Sequence, residues 1–424
     1  MSISNWNKIP SVKNARLIPF SSEVEYKEST CIRGNGRSYG DASLNARIIS
    51  MINCKEVLDL KDDILHVSSG FTLGEVLQIV LKQDFLFPVI TGTQFVTIGG
   101  MIGCDVHGKN HKRNGTIGSW VEEIELKIPS GEVVFCSELK NKELFRATIG
   151  GLGLTGAILS AKIKLEKLKS KGISQDVTEY KSIEELLTGI KESTSPYKVA
   201  WLDLARKNST YFLLSGDFNA KSKNVNFKAA NGKISIPNIG VSYLNKISMG
   251  LYNRLYTRRL RKEKDAQVSF SEFFFPLDKM KNWNNVYGSK GFYQYQFILP
   301  EKIGAEGMKI IIDKIRASKF TSYLSTLKYY GEVESPGIIS FPIEGYSLTV
   351  DFKNKPGIVS FLRELDQLVI QFGGRVYLAK DAILTAENFR KMYSTVDEYK
   401  SVIKSVNSGK INSLMSNRLK LVDA

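Results

Sequence analysis

Histidine is nearly missing from this 424-residue chain, which has three: His66, His107 and His111. The last two stand four apart, but glycines and a lysine surround them and no acidic ligand completes a set, so no metal site is expected. Cysteine is almost as scarce. Cys31, Cys54, Cys104 and Cys136 lack metal-ligand spacing and read as free thiols of a reducing compartment, which excludes a disulfide framework. No apolar run reaches the ~18 residues that a membrane-spanning helix needs. The opening MSISNWNKIPSVKN has no charged stretch leading into an apolar core, so a cytoplasmic protein is expected. Acidic residues are also in deficit: 43 against 59 Lys and Arg, a formal charge of +16. That field suits an anionic partner, whether nucleic acid, a phosphorylated small molecule or an anionic membrane surface, or simply a well-solvated exterior. Nucleic acid is disfavoured, because no binding module is recognisable and the aromatics form no stacking platform.

What the chain does have is glycine in two long loops. RGNGRSYGD at Arg33 to Asp41 and TGTQFVTIGGMIGCDVHGKNHKRNGTIGS at Thr91 to Ser119 hold ten glycines between them, spaced too irregularly for a helix face or a strand. Such backbone turns tightly or approaches something closely, and its amides suit a pyrophosphate. Three letter matches fail. Gly103 to Asn110 approximates a P-loop, but Asn110 stands where magnesium needs Ser or Thr. Gly36 to Gly40 spells G-x-S-x-G outside the strand-turn-helix of a nucleophile elbow. RGNGRSYG breaks the dinucleotide fingerprint at Tyr39-Gly40, outside any βαβ unit.

The length allows two domains. Thr72 and Glu75 predict a capped helix through Leu81, and Ile124 to Ile128 with Val133 to Phe135 predict a hairpin. A Lys-rich stretch, Lys167 to Lys171, reads as a boundary. Beyond it helices are predicted near Ile183 to Lys191 and Ile303 to Ser318, with strands at Tyr197 to Leu204, Phe292 to Leu299 and Ser347 to Phe352. Asn219 to Gly240 reads as a polar surface loop. In the segment after it, Leu244, Ile247, Leu251 and Leu255 recur at helical spacing among Lys246, Arg254, Arg258, Arg259, Arg261, Lys262 and Lys264. Such a basic helix suits an anionic membrane, or packs its apolar stripe on its own domain. Gly373 to Ala382 reads as a strand ending in a Lys-Asp pair, and the remainder as helical.

RGNGRSYGD, VTIGGMIGCDVHGKNH, LFRATIGGLGLTGAI, YQYQFILP and YLAKDA with MYSTVDEY, in that order along nearly the whole chain, resemble the vanillyl-alcohol-oxidase type of flavoprotein, and within it the branch acting on lipid-linked ribose. The resemblance implies an α+β fold: a two-subdomain PCMH-type FAD-binding domain at 1–168, an α+β substrate (cap) domain with an antiparallel sheet at 172–375, and a return to the FAD domain at 376–424. It implies FAD held by Arg33, Gly34, Asn35, Gly36, Arg37, Ser38, Tyr39, Gly40 and Asp41. Gly92, Thr97, Ile98, Gly99, Gly100, Cys104, Asp105, Val106, His107, Ile158 and Tyr377 complete that implied site. Covalently flavinylated relatives carry a histidine in the first loop where this sequence has Arg37, so non-covalent FAD is implied. Cys104 stands where bicovalent relatives place a cysteine, but the branch resembled here has it too, without a bond.

The resemblance also implies Lys380 and Tyr39 as catalytic residues, and Lys109, Lys328, Gln294, Gln296 and Thr349 as substrate-binding. Thr349 departs from the cysteine of well-known actinobacterial members, so covalent inhibitors aimed at that thiol are not expected to act. The implied activity is oxidation of the 2′-hydroxyl of a polyprenylphosphoryl ribose to a keto sugar. A separate NAD(P)H-dependent keto-reductase would take the product onward in an epimerisation to an arabinose donor, with peripheral contact at the membrane. A sugar-alcohol or aldonolactone oxidase of the same family is the alternative.

Overall fold

The computed structural model describes residues 2–168, 170, 172–205, 210–219, 227, 232 and 234–422. The chain first lays down two small sheets. A parallel one has Arg47–Ser50 between Arg16–Pro19 and Thr30–Arg33. An antiparallel one runs Val133–Cys136, Val121–Lys127, Ala157–Lys164, Ile64–Ser68, Leu58–Lys61. It contains the predicted hairpin. On it packs the helix Leu73–Val80, whose Thr72–Glu75 capping box forms as the sequence predicts.

From Ile173 onward eight strands build one sheet, ordered Ala266–Val268, Ile173–Tyr180, Tyr211–Phe218, Tyr197–Leu202, Ser322–Tyr330, Gly345–Lys353, Phe292–Pro300, Arg375–Val376. Its pairings are antiparallel. Side chains alternate across a strand, so each strand serves two faces. One face carries Tyr295, Phe297, Leu327, Leu348 and Val350, which pack into a core with Leu187, Ile190, Met308, Ile312, Leu362 and Leu365. Those last six come from three covering helices, Ile183–Glu192, Glu301–Ala317 and Ile358–Gln371. The other face carries Gln294, Gln296, Thr326, Lys328, Ser347, Thr349 and Asp351, and closes the cleft described below. The fold is α+β.

After Val376 the chain returns to the first sheets through three helices, Ala386–Met392, Val396–Asn407 and Leu414–Leu419. Tyr399 donates to the Gly151 carbonyl at 2.7 Å, the Asn412 amide to Thr30 at 2.8 Å, and Arg418 pairs with Asp41 at 2.7 Å.

One expectation needs correction, and one pair of alternatives is decided. Residues 373–382 do not form one strand: only Arg375–Val376 pairs, and the chain then turns through a short helix, Leu378–Lys380, closed by Lys380 N–H donating to the Tyr377 carbonyl. The basic segment does form a helix, Lys246–Leu260, and of its stripe Ile247, Leu251 and Leu255 face water, while Leu244 ahead of the helix packs beside Trp283. Of the polar stretch 219–240, residues 220–226, 228–231 and 233 lie outside the described residues, as do 169 and 171 at the expected boundary.

Candidate active site

A cleft of about 580 Å³ opens between the two small sheets and the polar face of the eight-stranded sheet. The glycine loops meet at its floor. A Cβ on Gly34 would sit 2.2 Å from Thr97 Oγ1, so the first loop touches the second only because that side chain is missing. Gly40, at φ +110°, lies against the Asp381 carbonyl, where a Cβ would come within 1.9 Å. Thus the first loop is in direct contact with the second and with the segment holding Lys380, although that segment lies more than 300 residues further along the chain.

The loops differ in what their backbone offers. In the second, the amides at the start of the short helix Ile98–Gly103 are taken: Ile98 donates to Phe71, Gly99 to Ser69 and Gly100 to the Thr97 hydroxyl. In the first, the amides of Gly34, Asn35, Gly36, Arg37 and Ser38 meet no acceptor among the described residues. Three buried side-chain atoms on the cleft wall are equally without partners: Arg37 Nε, Ser69 Oγ and His107 Nδ1. Gly92 faces open space. Unpaired donors of this density are costly unless a ligand accepts from them, and the set fits a dinucleotide with a pyrophosphate and a polar ring system. The residues present therefore fit FAD.

Of the residues expected to hold cofactor, Gly34, Asn35, Gly36, Arg37, Ser38, Tyr39, Gly92, Thr97, Gly99, Gly100, Cys104, Val106, His107, Ile158 and Tyr377 line the cleft. Five do not. Arg33 points away, to the Ser4 and Ser43 carbonyls and Asn5. Asp41 accepts from Arg418, and Asp105 accepts from the Gly118 amide and the Ser335 and Ser340 hydroxyls. Ile98 is core, and Gly40 abuts Asp381. These five brace the loops from behind.

On the cleft's other side, Lys380 sets its Nζ 3.7 Å from the centre of the Tyr39 ring. It is not tied to its neighbour: Asp381 accepts from the Ile383 and Leu384 amides and pairs with Arg418 at 2.9 Å. Loss of water around the Lys380 amine lowers its pKa to about 7, while the Asp351 carboxylate opposes that shift. Burial holds the Tyr39 hydroxyl well above its ordinary range.

Asp351 is a site residue that the sequence reading missed. It is fully buried, accepts from Gln294 at 2.7 Å and Tyr287 at 2.9 Å, and burial raises its pKa to about 6. The strand register explains the grouping: Gln294 stands opposite Asp351, and Gln296 opposite Thr349. Thr349 and Asp351 share a face two residues apart, and that alternation was the available signal.

Gln296 reaches His107 at 3.0 Å. Burial, with Lys328 and His111 nearby, pushes the His107 pKa well below its usual value, so the ring is neutral at physiological pH. Tyr377 donates to the Cys104 carbonyl at 2.8 Å, and burial raises the Cys104 thiol to about 11. Lys328 lines the cleft, makes no hydrogen bond or ion pair among the described residues, and is lowered to about 8 by desolvation. Lys109 behaves differently. Its amine donates to the Phe273 carbonyl and lies 4.3 Å from that ring, off the cleft wall.

The arrangement thus joins a cradle for a flavin dinucleotide to a chamber with two unpaired amines and a row of amides and hydroxyls. Residues 24–137 match the FAD binding domain model. Fold, cleft and matched domain define an FAD-dependent oxidoreductase. Over 410 residues, the chain is 35% identical to the decaprenylphosphoryl-beta-D-ribose oxidase of Mycolicibacterium smegmatis, covering 92% of this chain and 89% of that one. The chain belongs to the family of that oxidase. Other relatives match over about a third of the chain, among them cytokinin dehydrogenase 2 of Arabidopsis thaliana, 30% identical over 155 residues, covering 36% of this chain and 31% of that one. D-arabinono-1,4-lactone oxidase of Candida glabrata is 23% identical over 141 residues, 33% of this chain and 27% of that one.

Proposed function

We propose that this chain oxidises the 2′-hydroxyl of a polyprenylphosphoryl ribose to the 2′-keto sugar, with Lys380 as the group that takes the hydroxyl proton. The observation that carries the reading is the pair of amines, Lys380 and Lys328, in one cleft with no carboxylate bonded to either among the described residues. Residues 1–168 and 376–424 hold the cofactor in this reading, and residues 172–375 form the cap over the substrate. FAD, bound without a covalent link, supplies the two-electron acceptor. The chain supplies the rest.

Above about pH 7 the Lys380 amine is neutral and its lone pair can accept a proton from a secondary alcohol. As it becomes an ammonium it gains the field of Asp351, which stabilises the proton once transferred. Tyr39 lies beneath the amine and, with Gln294 and Gln296, orients the sugar hydroxyls. Lys328 faces the phosphate, where a compact cation without a protein partner is in place. Lys109 sits behind the aromatic wall and supports that positive field. The keto sugar then passes to a separate NAD(P)H-dependent reductase, and the lipid-linked substrate makes peripheral contact with the cytoplasmic membrane surface part of the reading.

The test is anaerobic mixing of purified protein with polyprenylphosphoryl ribose, free ribose or an aldonolactone, watching flavin absorbance. Bleaching by the lipid-linked sugar alone supports the reading. Bleaching by free sugar or lactone at equal rates would replace it with the sugar or lactone oxidase activity.

A further inference from the structure

The helix Lys246–Leu260 anchors itself with Met249, Asn253 and Leu260, all buried. Its regular apolar stripe does the opposite: Ile247, Leu251 and Leu255, four residues apart, are 85%, 60% and 55% exposed, and Tyr252 beside them is 50% exposed. A stripe with that spacing ordinarily pins a helix to its domain. Here it faces water instead. The apolar surface continues through the segment before the helix, where Val241, Ile239 and Ile234 are exposed at 67%, 55% and 62%. Contiguous exposed apolar surface of this kind marks a site of association.

Charge selects the partner. The helix contains no Asp or Glu, while Arg254 and Arg258 fall on the same outward arc as Ile247 and Leu251. Arg254, Arg258, Lys262 and Lys264 are exposed and make no ion pair among the described residues; Arg259 and Arg261 are already paired, with Glu263 and Glu179. A second copy docking face to face would set these arginines against their own equivalents. An anionic surface has no such conflict.

The ridge is also wired to the cleft. Ile234–Ser235 pairs in parallel with Met280–Lys281, and the Tyr243 amide donates to Val286. Met280, Lys281, Asn282 and Trp283 form the cleft rim. Leu244, immediately before the helix, packs with Trp283 against the cluster containing Tyr39.

We propose that the ridge formed by Ile234 to Val241 and the outer face of Lys246–Leu260 docks on an anionic phospholipid bilayer, seating the cleft rim at the lipid surface. Ile247, Leu251, Leu255 and Tyr252 enter the headgroup boundary, and Arg254 and Arg258 reach lipid phosphates from the same face. The purpose of the docking rests on the lipid-linked substrate proposed above; the binding itself does not.

Flotation of the FAD-loaded full-length protein with vesicles of equal parts phosphatidylglycerol and phosphatidylcholine, without substrate, tests this. The protein is expected to float with these vesicles and not with phosphatidylcholine alone. The triple variant Ile247→Glu, Leu251→Glu, Leu255→Glu is expected to lower the bound fraction at least about 10-fold, and Arg254→Glu with Arg258→Glu to do the same. Both should keep bound FAD, the melting temperature, and turnover of a water-soluble short-chain substrate. Failure of the wild type to float, or flotation of the triple variant as strong as wild type, overturns the proposal. So does a change in mass by light scattering in the ridge variant with flotation unaltered, since the ridge would then be a contact between copies. If flotation behaves as expected but lipid-linked ribose never bleaches the flavin, the membrane face stands and the substrate reading falls.

Discussion

The two faces of the eight-stranded sheet are written on the same strands, one residue apart, and they do different work. Tyr295, Phe297, Leu348 and Val350 lock into three helices, while Gln294, Gln296 and Thr349 line the cleft, with Asp351 buried against Gln294 on the same face. On the packed face volume governs what a position tolerates, except at Tyr295, whose hydroxyl donates to the buried Asp366 at 2.8 Å. On the cleft face identity matters, because Gln294, Gln296 and Asp351 are held in specific hydrogen bonds, and Lys328, like Lys380 across the cleft, has no hydrogen-bond or ion-pair partner among the described residues. Stability belongs to one face and chemistry to the other.

The largest expected separation is at Lys380. Lys380→Met should leave FAD bound and the fold intact yet lower kcat by about 10²–10⁴, the range for loss of a general base. Leu348→Ala should do the reverse, costing about 2–5 kcal/mol of stability, read as a lower melting temperature, with turnover per folded molecule retained. A smaller effect is expected at Lys328. Lys328→Met should raise KM for a phosphate-linked sugar by about tenfold, consistent with one charge-assisted contact, and leave the KM of an unphosphorylated sugar unchanged. The subtlest test is the pH profile. With the Lys380 amine near 7, kcat/KM should rise as pH increases through neutrality, because the protonated amine cannot accept a proton. Asp351 favours the ammonium, so Asp351→Asn should move that rising limb to lower pH. A flat profile, or a limb unmoved by Asp351→Asn, would detach Asp351 from the chemistry.

Much of this was legible in the residues. Glycine density in the first two loops marked the cradle because close backbone approach needs a missing Cβ, and Gly34 against Thr97 and Gly40 against Asp381 are those approaches. The YQYQ alternation put two glutamines on one face. The loops' unequal roles were not legible: whether the Gly99 amide is free depends on the Ser69 carbonyl, thirty residues upstream. Lys109 carries the same letters as a cleft lysine, but its direction is set by Phe273, far along the chain. Asp351 is not marked in the letters, because one carboxylate in an apolar strand announces itself only through its neighbours. The stripe from Ile247 to Leu255 shows the limit most clearly, since periodicity defines a face and says nothing of what lies opposite.

The most direct test of the central claim is single-turnover anaerobic reduction of the flavin by polyprenylphosphoryl ribose, in wild type and in Lys380→Met at matched FAD occupancy. Rapid bleaching is expected in wild type and at least about 100-fold slower bleaching in the variant, whose oxidised spectrum is unchanged. Equal rates in the two proteins would contradict it.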